Sequence, residues 1–130
     1  MEHGAGTEDG SIQGYLEMIG IPYVSNNLCS SAICQDKVFT KQLLDFNELP
    51  VVKYVWFFDN EYAKNKEVLF KKIDKLDYPL IVKPATLGSS IGIKTVHNKE
   101  ELDTTIKEVL KYDRKVIIEE KIENVLEYNI

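Results

Sequence analysis

Lys83 closes the apolar run Leu80-Ile81-Val82 and is followed by Pro84 and a stretch of small residues, Ala85-Thr86-Leu87-Gly88-Ser89-Ser90-Ile91-Gly92. Glycines let backbone N–H groups approach an anion and hydroxyls add donors, so Gly88 to Gly92 is a candidate loop for closing over phosphates. It is not a Walker A loop, which needs G-x₄-G-K-[ST] leading into a helix. The plain alternative is a flexible hairpin tip. Lys83 sharpens the phosphate reading, because an ammonium beside Ile81 and Val82 needs an anion to meet it unless it snorkels to solvent. Side chains alternate along a strand, so Ile81 and Lys83 share one face and Val82 takes the other. By the same rule, Ser89 and Ser90 in an extended loop present opposite faces. Lys37 follows Asp36 at a predicted helix start, where the helix dipole favours anions; a solvated lysine is the alternative.

Two further groups have the right residue types for a site. Glu119-Glu120-Lys121-Ile122 follows an apolar strand; its backbone N–H and C=O could pair with the edge of an adenine while Ile122 packs on the ring, or it could be a polar turn. His3 precedes Glu8 by five residues beside a helix start, a titratable pair if it is not simply a chain terminus. His97 reads as a surface residue. Cys29 and Cys34 form a lone C-x₄-C, a poor zinc signal, and read as reduced, buried small hydrophobes. No residue is assigned to a metal.

These residues need a scaffold, and 130 residues suffice for one compact core. With 16 Lys+Arg against 21 Asp+Glu the net charge is −5, which excludes non-specific nucleic-acid binding through a basic face. The apolar run Val55 to Phe58 is far too short to span a membrane, and Met1-Glu2-His3-Gly4 lacks the features of a signal peptide. The chain therefore reads as cytoplasmic.

Periodicity supplies the elements. Ile12, Tyr15, Leu16 and Ile19 predict a helix with one buried face, capped by Asp9 or Ser11 and ended by Gly20. Ile21 to Val24 predicts a short strand. A helix is expected over about 35–46 with Val38, Leu43 and Leu44 inward, then a strand over 51–58. The helix over 65–76 should bury Val68, Leu69, Ile73 and Leu76. Strands at 80–82 and 93–96 flank the glycine loop and must pair as an antiparallel hairpin, because a parallel crossover needs a dozen or more residues. Asn98 with Glu101 caps a helix burying Leu102, Ile106, Val109 and Leu110, and Val116 to Ile118 is a buried strand. This is an α+β pattern rather than a doubly wound parallel sheet. Tyr128-Asn129-Ile130 reads like the opening of another strand, as in a truncated protein.

In order along the chain, these segments resemble the D-alanine–D-alanine ligases of the ATP-grasp superfamily. The matches are His3-Gly4 with Gly6 and Glu8-Asp9-Gly10, Gln13-Gly14, Gly20-Ile21-Pro22-Tyr23, Ser31-Ala32 with Asp36-Lys37 and Lys41, Leu49-Pro50-Val51, Tyr78-Pro79, Val82-Lys83-Pro84, Gly88 to Gly92, Tyr112-Asp113, and Ile118-Glu119-Glu120 with Glu127. Thr7 stands where the family has glycine before the Glu, and Ser25 replaces another glycine.

The resemblance implies an ATP-grasp small lobe, a mainly antiparallel sheet with flanking helices, over 36–118. The end of an α/β N-terminal, substrate-binding domain would occupy 1–35, and the hinge into a truncated large lobe 119–130. It implies an ATP-dependent ligase of peptidoglycan precursor synthesis that joins two D-alanines through an acyl phosphate, working with Mg²⁺ as a homodimer. Lys37 and Lys83 would bind phosphates, and Ser90 with the backbone around Gly88 would close over the transferred group. Ser89, His3 and Glu8 would serve the first D-alanine. Glu119, Glu120, Lys121 and Ile122 would hold adenine, either glutamate fitting the spacing, and Glu127 the ribose. The Mg²⁺ ligands would lie in the large lobe, and 130 residues alone would be inactive. A stand-alone nucleotide-binding or regulatory module is the alternative from another class, and D-serine or D-lactate the alternative second substrate.

Overall fold

The computed structural model describes residues 8–123, 125 and 126, so His3 and Glu127 lie outside the described residues. Its centre is the strand that the sequence makes most apolar, β4 (Lys115–Glu120), in which Val116, Ile117 and Ile118 are fully buried. β1 (Tyr54–Phe58) and β2 (Leu80–Pro84) flank it, and β3 (Lys94–Val96) pairs outside β2, giving the order β1-β4-β2-β3 with every pair antiparallel. The expected hairpin is β2–β3, in register Leu80↔Val96.

Alternation along these strands sorts the side chains onto two faces. Phe57, Leu80, Val82, Val116 and Ile118 face α4 (Asp59–Ile73) and α5 (Lys99–Val109), where they meet Leu69, Ile73, Leu102, Ile106 and Val109 in the main core. On the opposite face Ile117 and Ala85 pack against Val38 of α3 (Lys37–Phe46), with Tyr54 and Trp56 beside them. The protein is thus an α+β fold with two helices on one face of the sheet and one on the other. α5 is capped as expected: Asn98 accepts from the Glu101 N–H at 3.1 Å and Glu101 accepts from the His97 N–H at 3.1 Å.

Several expectations are corrected. α4 begins at Asp59, not residue 65, because Glu61 folds back to accept the Phe58 N–H at 3.0 Å; Asn65 (φ −128°, ψ 34°) is a kink inside it. Leu69 and Ile73 are its buried residues and Leu76 is buried just past its end, whereas Val68, about 100° round the helix from Leu69, is 56% exposed. An unforeseen α2 (Leu28–Gln35) is capped by Asn27, whose side chain accepts from the Ser30 N–H at 2.8 Å. Residues 21–24 form no strand: Ile21 donates back to the Leu16 carbonyl at 2.9 Å and Tyr23 bonds Glu17, folding the segment onto α1 (Ser11–Met18). No residue of α1 is buried, and Ile12, Tyr15 and Ile19 are exposed, since no described element covers that face. Leu43 and both cysteines are exposed too.

One buried ion pair ties α3 to the sheet. Lys115 Nζ lies 2.7 Å from Asp36 Oδ2, both side chains nearly buried, and 4.1 Å and 5.1 Å from the ring centroids of Phe39 and Trp56. The other oxygen of Asp36 caps α3, accepting from the N–H groups of Val38 (2.9 Å) and Phe39 (3.2 Å). Removing one partner leaves the other as an uncompensated buried charge, so Lys115→Met should destabilise the chain by about 3 kcal/mol; urea denaturation measures it.

A second cluster joins α4 to α5. Asp103 accepts from Tyr62 and pairs with Lys66 and Lys107, the last at 2.8 Å. The hydrogen bonds from Lys107, Lys66 and Tyr62 hold its carboxyl far below the usual range. A depressed carboxylate contributes stability above its unfolded pKa of about 4 and loses it as pH falls towards the folded value. Asp103→Asn should therefore lower the Tm at neutral pH. The gap to the unaltered chain should narrow on acidification from about pH 5 to about pH 2, as thermal melts across that range would record.

Candidate functional site

The α3 face of the sheet carries the charge. Lys37 opens α3; its N–H donates to the Ala85 carbonyl at 2.9 Å and its ammonium to the Leu87 carbonyl, which places it under the glycine loop. Lys83 projects from β2 onto the same face as Glu119 of β4, because the register Ile81↔Glu119 and Lys83↔Ile117 makes them diagonal neighbours. The anion that the position of Lys83 required is the protein's own: its ammonium pairs with Glu119 Oε1. Lys41, one helical turn after Lys37, reaches Glu119 Oε2 at 3.0 Å. These four side chains line a cleft of about 380 Å³ together with Cys34 and Thr40. Burial, and then the charge of Lys83, push the Lys37 ammonium below the usual lysine pKa. Three ammonium groups around one carboxylate leave an excess of positive charge suited to a polyanion.

Lys83 and Glu119 also line an adjoining cleft of about 250 Å³ whose other walls include Val52, Ile81, Ile122 and Val125. A flat apolar ring could lie there with its polar edge on Glu119. The two neighbouring glutamates are distinguished by alternation: Glu119 is 6% exposed and faces the lysines, whereas the Glu120 carboxylate accepts from the Asp77 N–H (3.1 Å) and pairs with Lys53 (3.2 Å). The N–H groups of Glu120 and Lys121 are already used, donating to the Lys53 and Pro79 carbonyls. Any backbone edge that this segment offers a ring must therefore come from its other backbone groups. Lys121 and Ile122 are exposed.

The glycine loop is a tight turn rather than an extended segment. Ile91 donates to the Gly88 carbonyl at 3.1 Å, and both central residues, Ser89 (φ 51°) and Ser90 (φ 58°), are left-handed. This is the mirror-image turn that suits hairpins, adopted here by non-glycine residues at some cost in strain. The two serines are exposed at the tip, and because the turn is not extended, strand alternation does not apply to them. The base of the loop is fastened: one oxygen of Asp113 accepts both the N–H and the hydroxyl of Thr86 at 2.8 Å, while the other accepts the Lys115 N–H at 2.9 Å. Gly92 (φ 71°) passes so near Pro84 and Tyr112 that an added Cβ would lie 2.8 Å and 3.1 Å from them. Gly88 lies against Glu8, whose Oε2 would be 3.2 Å from such a Cβ.

Of the residues singled out from the sequence, Glu8, Lys37, Lys83, Gly88 and Glu119 therefore converge on this face. Ser89 and Ser90 form the loop tip above it. In the sequence Lys41 stands out only as part of a motif, although its i, i+4 spacing from Lys37 puts both on one helix face. Asp113 and the Asp36–Lys115 pair gave no sequence signal of their positions. Among the described residues no group of three or more His, Cys, Asp or Glu side chains could hold a metal ion. Nor is any helix among them long and apolar enough to cross a membrane.

Comparison with known proteins gives a consistent result. The family model described as D-ala D-ala ligase C-terminus matches residues 43–130. The D-alanine–D-alanine ligases of Thermoanaerobacter sp. strain X514 and Thermoanaerobacter pseudethanolicus are each 50% identical over 121 residues, which is 93% of this chain but 33% of theirs. The chain thus spans about a third of the length of the curated relatives it matches. Among solved structures, the VanG D-Ala:D-Ser ligase from Enterococcus faecalis superposes with a TM-score of 0.85 at 40% identity, over 93% of this chain and 34% of that one. The D-alanine–D-alanine ligase from Bacillus anthracis complexed with ATP gives 0.79 at 36% identity, over 93% and 38%. The motifs of the sequence, the antiparallel α+β fold and these likenesses agree, and the chain belongs to the D-alanine–D-alanine ligase family.

Proposed function

We propose that this chain supplies the small-lobe half of an ATP site in a ligase that joins D-alanine to a second D-amino acid. The observation that carries the reading is the cleft in which Lys37, Lys41 and Lys83 surround Glu119 beneath the Gly88–Gly92 turn. The likeness to a ligase complexed with ATP supports it. Residues 1–35 would end the substrate-binding domain, 36–118 form the small lobe, and 119–130 lead into the large lobe. Lys37 and Lys83 would meet the phosphates, and the turn with Ser90 would cover the transferred group. Glu119 and Ile122 would hold adenine, with Glu127 on the ribose. Ser89, His3 and Glu8 would serve the first D-alanine.

In this reading a carboxylate oxygen of the first D-alanine attacks the γ-phosphorus and ADP leaves. The amine of the second substrate then attacks the acyl carbon and phosphate leaves, its proton passing to solvent or a base. Both steps gather negative charge, so the contribution of this chain is positioning and charge neutralisation by lysines and backbone donors. Mg²⁺ would offset further charge, and among the described residues no group of three or more His, Cys, Asp or Glu side chains could hold it. The likeness to a D-Ala:D-Ser ligase makes D-serine the second candidate for the acceptor.

Lys83→Ala in a full-length ligase carrying this segment should reduce kcat/KM for ATP about a hundredfold, the usual effect of removing a donor aimed at developing charge. Steady-state kinetics test this, and a change within about twofold would refute the role. The 130 residues alone should bind ATP weakly and show no turnover, because strong phosphate interactions need a closed, low-dielectric site. Phosphate release with ATP, Mg²⁺ and D-alanine, set against a Lys83→Ala control, measures it; turnover clearly above the control would contradict the reading.

A further inference from the structure

Glu119 is a nearly buried carboxylate shared by two ammonium groups, one on each oxygen: Lys83 on Oε1 and Lys41 on Oε2. The two lysines are not equivalent. Lys83 stands between the two clefts and lines both, whereas Lys41 lines only the first, and its ammonium also lies 5.6 Å from the centroid of the Tyr54 ring. A ring face adds to the attraction that holds Lys41 where it is. We propose that Lys41 is the positioning residue for Glu119: it keeps the carboxylate in place when Lys83 transfers to a bound phosphate, so that Oε1 becomes the acceptor that selects the base. The inference rests on the nucleotide reading above and adds to it the control of base selectivity.

The physical argument is one of unpaired charge. A phosphate entering the first cleft competes with Glu119 for Lys83. A carboxylate as enclosed as Glu119, left with no counter-ion, would swing towards solvent, because a buried unpaired charge is costly. Lys41 removes that necessity. With Oε2 still paired, Oε1 faces the adjoining cleft, where the C6 substituent of a purine would meet it. Adenine carries an amino donor there, whereas guanine carries a carbonyl that a carboxylate repels. The ratio of ATP to GTP affinity therefore reports the placement of Glu119, because the two ligands share the same triphosphate.

The test is a titration of the 130-residue chain with ATP and with GTP, followed by amide NMR shifts. The unaltered chain should favour ATP, and Lys41→Met should reduce the ATP:GTP ratio about tenfold, the scale of one hydrogen bond to a charged acceptor. Loss of a positive charge alone would weaken both nucleotides and leave the ratio unchanged. Lys41→Arg should retain the preference, Glu119→Gln should abolish it, and adding Lys41→Met to Glu119→Gln should change the ratio no further. Should Lys41→Met fail to give a folded spectrum, Lys41→Gln is read in the same way. An ATP preference that survives loss of Lys41 but not of Glu119 overturns the inference while leaving the nucleotide reading intact, as does equal affinity of the unaltered chain for both nucleotides. If the unaltered chain binds neither, the nucleotide reading itself fails and the inference with it.

Discussion

The site depends on the ion pair between Lys115 and Asp36. It lies under α3, on the side of the sheet away from the main core, where Val38, Ala85 and Ile117, with the partly buried Tyr54 and Trp56, form a much smaller apolar cluster than the one on the other face. A salt bridge in such a place is retained less for net stability than for geometry. The Lys115 ammonium, enclosed by Phe39 and Trp56, meets Asp36 at one place only, and Asp36 is the cap of α3. The first residue of the helix after that cap is Lys37. The direction in which Lys37 points is thus set by a contact made on β4, and so is the turn of helix that brings Lys41 to Glu119.

β4 coordinates the remaining parts in the same way. Its backbone accepts the Ala85 N–H at the Lys115 carbonyl, and its N–H at Lys115 is held by Asp113, which also fastens Thr86. The base of the glycine loop is therefore secured on three sides, by Asp113, by Gln35 on the Thr86 carbonyl, and by Lys37 on the Leu87 carbonyl. Strain in the turn, with two serines in left-handed conformations, is supported by that anchoring. The far end of β4 supplies Glu119, so one buried strand sets both the loop and the carboxylate that share the cleft.

The charge balance of the cleft follows from the sheet register. Lys83 and Glu119 are diagonal neighbours on adjacent antiparallel strands, and a slip of one residue would send one of them into the main core. Such a slip is prevented by the other face, where Leu80, Val82 and Ile118 must enter the apolar interior. Burial on one side of the sheet enforces electrostatic geometry on the other.

Much of this was legible in the residues themselves. Local chemistry determined the α5 cap at Asn98 and Glu101, the buried strand at Val116 to Ile118, the hairpin around the glycine loop, and the alternation that puts Lys83 opposite Val82, because each depends on neighbours a few positions apart. The motif order carried the family. What the sequence could not determine were relations between distant residues. The start of α4, the folded-back segment at 21–24, the left-handed serine turn and the exposed face of α1 were misread, since each depends on a partner, or the lack of a described one, outside the local window. Spacing does not separate Glu119 from Glu120; the face of β4 that each occupies, fixed by pairing with β1 and β2, sets Glu119 beside Lys83 and Lys41 in the cleft and Glu120 against Lys53. Lys41, Asp113 and the Asp36–Lys115 pair acquire their roles only when elements as far apart as residues 36 and 115 are packed together, because the energy of a charge depends on which opposite charge folding brings to it.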